Sequence, residues 1–346
     1  MKWKGWKRIP LLISDTAGNT ATKEVMAIAP LIISASRSTD IPAFYSDWFM
    51  ARLAAGYLQW KSPFGGTPLY VSFSKARVFV FWSKNPAPFF HHLDTINDLG
   101  YGSFFLFTLN EYEREGLEPN VPPVDERVAT FIRLSRRIGK GRVAWRYDPL
   151  VLSDQISVDN LLCKVRRIGN QIHPFTTRLI ISFVDISRYG KVQQNLKKLG
   201  LSGVREFTDD EETEFCEGLV SLNKRWGLSI SACGERRDLS KYGIMRGRCI
   251  DRDMMMREFA GDRILMEFLQ AGEHTIISEV AARHLKDPGQ RNTCGCVVSK
   301  DIGQYSTCMH LCAYCYANSF PTGVCKRYTR YLSDARKGIF HETILD

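Results

Sequence analysis

The chain has 346 residues, 44% hydrophobic and 24% charged, with a formal net charge of +10. That length accommodates one large domain or two ordinary ones, and the balance is that of a globular chain with a sizeable core. No apolar run approaches the roughly eighteen residues that cross a bilayer. The basic start "MKWKGWKRIPLLIS" carries too short an apolar stretch for a secretory signal, so a cytoplasmic location without a membrane partner is expected. The positive charge admits a nucleic-acid or anionic partner, although Lys and Arg occur as scattered pairs such as Arg136-Arg137 and Lys197-Lys198.

Residues 1–30 read as an N-terminal extension, with a hairpin around "SDTAGNTATKE", where Gly and Asn suit the turn. From residue 31, apolar runs rich in β-branched and aromatic residues alternate with helix-like segments. The runs are "LIISASR" (31–37), "RVFVFWSK" (77–84), "SFFLFTLN" (103–110), "RVAWRYDP" (142–149), "RLIISFVD" (178–185) and "LSISACGE" (228–235). Between them, "VDERVATFIRLSRRIG" and "TDDEETEFCEGLVSLNKRWG" have helical apolar spacing. The second opens with an acidic turn that favours a helix N-terminus. Six near-continuous apolar strands separated by helices predict a parallel sheet covered on its outer face. The fold class expected is α/β: a (β/α) barrel, partial or complete, over residues 31–250, with an open doubly wound sheet as the rival. No G-x-G-x-x-G follows any strand, so dinucleotide binding has no support. After residue 250 the rhythm stops. "RDMMMREFAGDRILMEFLQ" reads as helical, and the cysteine-rich segment 251–346 is expected to act as a lid or appended module.

Every strand ends in polar residues. They are Ser36, Arg37, Thr39 and Asp40 after the first, then Trp82, Lys84 and Asn85, then Thr108 and Asn110. Arg146 and Asp148 follow the fourth, Ser182 and Asp185 the fifth, Cys233 and Glu235 the sixth. In a barrel such ends converge on one rim, where active sites are built. Arg37, Lys84 and Arg146 suit a carboxylate or phosphate, and with Asp40 and Asp148 they form the candidate catalytic set. Ser36, Thr108, Asn110, Ser182, Asp185 and Glu235 are candidates for holding a cofactor, Glu235 through an amino group. The alternative is that these acids and bases satisfy one another as structural pairs.

Eight of the ten cysteines lie in the last third of the chain, seven of them in local groupings and Cys325 alone. In a reducing compartment they read as metal ligands or catalytic thiols before disulfides. Cys308, Cys312 and Cys315 form C-x₃-C-x₂-C. Thiolates suit zinc and iron–sulfur clusters. A structural zinc site closes with four ligands, whereas three thiols suit a 4Fe–4S cube whose fourth iron stays open for a small molecule. Zinc or a purely structural cluster is the alternative. Cys233, Cys249, Cys294 and Cys296 would close a second metal site, zinc or a second cluster, with Gly295 permitting a tight turn in C-G-C. Otherwise Cys233 and Cys249 are buried spectators, and Cys294 or Cys296 completes the first cluster. Cys163 and Cys216 read as small buried hydrophobes in helices. His310 reads as a donor to a sulfide or carbonyl before a ligand, and His91-His92 as solvated surface. There is no Ser-His-Asp arrangement and no phosphate-cradling loop.

The triplet, with aromatic Tyr314 before its last cysteine, resembles the cluster signature of the radical S-adenosylmethionine (radical SAM) superfamily. That resemblance implies a full or partial (β/α) barrel and an open iron that chelates the amino and carboxylate groups of S-adenosylmethionine. It further implies an electron-donor partner and reductive cleavage to a 5′-deoxyadenosyl radical that abstracts hydrogen from a substrate. In that superfamily the triplet usually follows the first strand. Here it follows the last, and "SASRSTDIPAFYSDWF" after the first strand holds no cysteine. The segments "IISASRSTDIPAFYSDWF", "VFWSKNPAP", "FFLFTLNEYEREGLEPNVPP", "VAWRYDPLVL", "RGRCID" and "KDPGQRNTCGCVVSKDIGQYSTCMHLCAYCYAN" are together similar to a bacterial family. It is catalogued as domain of unknown function eighteen-forty-eight, and it implies intracellular proteins without an assigned activity. The function expected is an atypical radical SAM-type enzyme acting on an unknown substrate. The alternative is a non-catalytic, metal-stabilised binding protein associated with nucleic acid.

Overall fold

All six apolar runs become parallel strands in the computed structural model, which describes residues 5–14, 22–201, 203–270, 285–318 and 321–346. They are β3 (Ile32–Ala35), β6 (Val78–Ser83), β7 (Gly102–Thr108), β8 (Val143–Leu150), β9 (Arg178–Phe183) and β10 (Ser229–Ala232). Two short strands, β11 (Met245–Arg246) and β12 (Lys300–Asp301), flank them. The order across the sheet is β11-β10-β9-β8-β7-β6-β3-β12. From β3 to β10 each new strand joins beside its predecessor, without turning back. A doubly wound sheet reverses at a switch point, so that rival is removed. The winding is that of a (β/α) barrel left open between β11 and β12.

Helices connect the strands. The first connection holds α1 (Ile41–Phe44) and α2 (Ser46–Ala55), and β6 leads through α3 (Leu93–Asp98) to β7. Next come α4 (Val124–Ile138) and α5 (Val158–Ile172), then α6 (Gly190–Lys198) with α7 (Asp209–Trp226). Thr208 and Glu211 form a capping box at the start of α7, where the acidic first turn was expected. A smaller sheet, ordered β1-β2-β5-β4, is built from β1 (Arg8–Ser14), β2 (Thr22–Ile28), β4 (Tyr57–Trp60) and β5 (Leu69–Ser72). Its β1–β2 pair runs antiparallel from Arg8↔Ile28 to Ser14↔Thr22. The turn expected between them falls in 15–21, outside the described residues.

Successive residues of β3 and of β6 to β9 enter two different cores. Phe79, Phe81, Phe105, Phe107 and Trp145 pack with Phe131, Leu134, Val165 and Leu219 of the covering helices. Val78, Val80, Phe104, Leu106 and Ile180 pack instead with Ile250, Met254, Met255, Phe259, Leu265, Val297 and Val298. Burial on both faces is why these strands read as uninterrupted apolar runs. The segment beyond residue 250 is therefore more than a lid. Its helices α8 (Arg252–Glu258) and α9 (Arg263–Gln270) and the stretch near Val297 cover one whole sheet face, and β12 extends the sheet beside β3. Each large apolar side chain so buried contributes about 1.5–3 kcal/mol. The chain ends with α10 (Pro321–Ala335) and a tail whose Glu342 carbonyl accepts from Gln59 N at 2.8 Å. Among the described residues no helix is long and apolar enough to cross a membrane.

Candidate functional site

The loop after β3 grips the cysteine triplet. Thr39 Oγ1 lies 2.7 Å from Thr307 Oγ1, and the Tyr45 hydroxyl donates to the Thr307 carbonyl at 2.9 Å. Asp40 caps α1 by accepting from Ala43 N at 3.1 Å. Its second oxygen accepts from Lys84 N at 2.7 Å and faces His310 Nε2 at 2.7 Å. The other ring nitrogen, His310 Nδ1, lies 3.1 Å from the Asn120 carbonyl. With both ring nitrogens facing protein oxygens, His310 anchors the loop as a partner of a carbonyl and a carboxylate. Cys308, Cys312 and Cys315 are thereby held beside the C-terminal ends of β3, β6 and β7.

Burial pushes the Cys308 thiol up to about 12 and moves Cys312 and Cys315 in the same direction. The three lie close enough for their thiolates to repel one another. Yet the backbone amides of His310 and Asp40 point at Cys308, and those of Ala317 and Asn318 at Cys315. Buried thiols that resist ionisation by themselves, but are met by N–H donors, suit thiolates bound to a cation. Spacing narrows the choice of cation. A tetrahedral zinc with bonds of about 2.3 Å holds its sulfurs about 3.8 Å apart. Among the described residues, no three cysteine sulfurs approach within 4.8 Å of one another. A cube, in which each thiol meets a separate iron, accommodates sulfurs spaced more widely than that.

A buried polar network fixes the far side of this loop. Lys84 Nζ donates to Glu118 Oε1 at 2.7 Å and to the Tyr314 hydroxyl at 3.0 Å. The Tyr314 hydroxyl donates to the same Glu118 oxygen. Asn110 Nδ2 donates to Glu118 Oε1 at 3.1 Å and to the Asp148 carbonyl at 3.1 Å, while its oxygen accepts from Asp148 N at 3.0 Å. Arg127 Nη2 stands 3.9 Å from Glu118 Oε2 and donates to the Asn110 carbonyl at 2.9 Å. The Glu118 side chain is 0% exposed. Burial alone would push its carboxyl up, but Lys84 and Arg127 overcome that and hold it at about 2.

The other four cysteines are brought together at the end of β10. Cys249 Sγ donates to Cys233 Sγ at 3.3 Å, and Cys249 and Cys294 both contact Cys296. Cys296 also accepts from Ile250 N at 3.5 Å. Accepting from Cys249 and Cys294, with Arg37 nearby, drives Cys296 well below the usual thiol range. The bond from Cys249 lowers Cys233 too, helped by Arg146 and Arg291. Gly247 makes the assembly fit, because its N donates to the Ala232 carbonyl at 2.6 Å and a Cβ there would lie 2.6 Å from Cys233 Cα. These thiols form a string, Cys233–Cys249–Cys296–Cys294. One zinc ion would need them drawn inward, whereas a second cluster tolerates wider spacing.

Most of the remaining rim residues already have protein partners. Arg37 lies over the Trp82 ring at 5.1 Å and reaches Asp301 at 3.5 Å and Asp287 at 3.9 Å, not Asp40. Arg146 pairs with Asp148 and stacks on the same Trp82 ring at 4.6 Å, and the Ser182 hydroxyl donates to Asp148. Asp185 pairs with Arg291 at 3.3 Å. Glu235 accepts from Phe183 N at 3.0 Å, and burial pushes its carboxyl up to about 7. Ser36 and Thr108 are buried, and the Ser36 hydroxyl accepts from Ser38 N at 3.1 Å. Cys216 is buried as expected, but Cys163 is exposed, on the outer side of α5. Sequence reasoning missed Glu118, Arg127, Asp287 and Asp301. Asp301 accepts from the Ser34 hydroxyl and Arg37 N, each at 2.9 Å, locking β12 to β3. Their partners lie on other segments of the chain, so no local spacing signals them.

Fold and site together define an α/β protein with a partial (β/α) barrel, whose strand-end rim receives two groups of cysteines. The chain belongs to the family described as Domain of unknown function (DUF1848), whose profile matches residues 32–317. No curated protein matches it. A solved structure named "putative alpha-L-fucosidase", from Bacteroides thetaiotaomicron, is similar over 75% of this chain and 70% of that chain, at 10% identity and a TM-score of 0.27.

Proposed function

We propose that this protein is an iron–sulfur enzyme of the radical SAM type, with a 4Fe–4S cluster on Cys308, Cys312 and Cys315 and an open iron that takes S-adenosylmethionine. One observation carries the reading. The triplet, which the chain reaches last, is seated on the loop that follows the first parallel strand, through Thr39–Thr307 at 2.7 Å and Asp40–His310 at 2.7 Å. The order in sequence that sets this chain apart from the superfamily is thus compensated in space. When bound, the cluster supplies one-electron reduction of the sulfonium. The chain's own residues hold its loop: Asp40 fixes His310, and charged Glu118 fixes Tyr314 and keeps Lys84 paired. Cys233, Cys249, Cys294 and Cys296 hold a second metal group that ties the stretches 247–250 and 294–296 to β10.

Anaerobic purification with iron, sulfide and zinc analysis, followed by reduction in the presence of S-adenosylmethionine, tests this. The expected products are 5′-deoxyadenosine and methionine, and Cys312→Ala abolishes both. Well-loaded protein that neither binds nor cleaves S-adenosylmethionine overturns the reading. Salt-sensitive nucleic-acid affinity without cleavage would favour a non-catalytic binding protein.

A further inference from the structure

Asp47, in the first turn of α2, faces the His91-His92 pair that ends the 3₁₀ turn at Ala87–His92. The cysteine chemistry uses none of the three. His92 Nε2 lies 3.0 Å from Asp47 Oδ1, and His91 Nε2 lies 3.8 Å from the same oxygen. Each residue offers one ligand atom, and the three atoms all lie within 4.8 Å of one another. Zinc bonds of about 2.0–2.2 Å to nitrogen and oxygen place tetrahedral ligand atoms about 3.4 Å apart. The two observed separations bracket that value.

The side chains are also prepared for an ion. The His92 side chain is 16% exposed and packs against Phe89, with ring centroids 5.7 Å apart. Burial lowers its pKa, and neutral imidazole is a common metal ligand. The His91 and His92 rings lie 3.8 Å apart. On the open side, His91 is 65% and Asp47 60% exposed, leaving room for water to complete a coordination shell. Two imidazoles and a carboxylate suit zinc and the neighbouring first-row ions.

We infer that Asp47, His91 and His92 form a site for a divalent first-row transition ion, separate from both cysteine groups and open to water. An ion there clamps the start of α2 to the turn after β6. Both elements follow the loops that carry the triplet's anchors, Asp40 after β3 and Lys84 after β6. The inference stands independently of the radical SAM reading, since none of these residues touches the triplet.

Cobalt(II) is the probe, added to the full chain with its cysteine-bound metal retained. The expected result is one further equivalent of cobalt with visible ligand-field absorption and no new thiolate charge-transfer band, accompanied by a rise in melting temperature. His91→Ala, Asp47→Asn and His92→Ala each remove that equivalent, while His173→Ala, on a distant helix end, keeps it. His91→Ala is the safeguard against misfolding, because its ring is mostly exposed. Failure of the wild-type chain to take up this cobalt, uptake only with a thiolate band, or unchanged uptake by His91→Ala overturns the inference.

Discussion

Replacing Glu118 by Gln asks whether the buried network beneath the triplet is held by charge. The substitution keeps the shape and one accepting oxygen, but removes the negative charge that Lys84 faces at 2.7 Å and Arg127 at 3.9 Å. Burial would raise this carboxyl; the two cations and the hydrogen bonds from Lys84 and Tyr314 bring it from 4.5 down to about 2. At about 1.4 kcal/mol per pH unit, that difference corresponds to about 3 kcal/mol of stability. The figure agrees with the roughly 3–5 kcal/mol lost when one partner of a buried pair is removed. Because the folded pKa lies below the unfolded one, the stabilisation is complete above pH 4.5 and is lost as pH falls towards 2. At about pH 3, roughly 1.4 kcal/mol of it is left. Urea denaturation of chelator-treated wild type and Glu118→Gln, at pH 7 and pH 3, reads the gap directly. The gap is expected to shrink from about 3 to about 1 kcal/mol. A gap below about 1 kcal/mol at pH 7, or one that does not change with pH, refutes the charge argument.

Gly247→Ala places a Cβ 2.5 Å from the Ala232 carbonyl oxygen and 2.6 Å from Cys233 Cα, backbone atoms that cannot step aside. A loss of about 1–3 kcal/mol with weaker metal retention at the four thiols is expected, whereas Gly323→Ala, with nothing within 4 Å, costs nothing. Equal melting temperatures for the two variants would contradict this packing. Cys296→Ala removes the thiol that Cys249 and Cys294 both contact; it is expected to lose one metal group and to lower stability by loosening the stretches 247–250 and 294–296. Cys308→Ala should lose the triplet's iron with a smaller effect on the fold, and metal analysis that finds the same loss in both variants would merge the two sites.

The strands were legible in the sequence because burial on both faces leaves few polar residues to interrupt them. "RVFVFWSK" at 77–84 became Val78–Ser83, every residue of it buried. The cysteine groups were legible for a different reason: thiols are scarce, and the triplet's spacing is local. The sequence could not show that Asp40 would meet His310, 270 residues away, or that Glu118 would meet Tyr314 across 196. The closeness of Asp47 to His92, 45 residues apart on separate elements, was equally hidden. An ion pair depends on where two backbones place their Cβ atoms, and composition carries no record of that. Strand order is a property of the same kind. Only the packed sheet decided that the chain winds one way from β3 to β10 and that β12 returns to β3, because the pairing energy lies between strands and not within them.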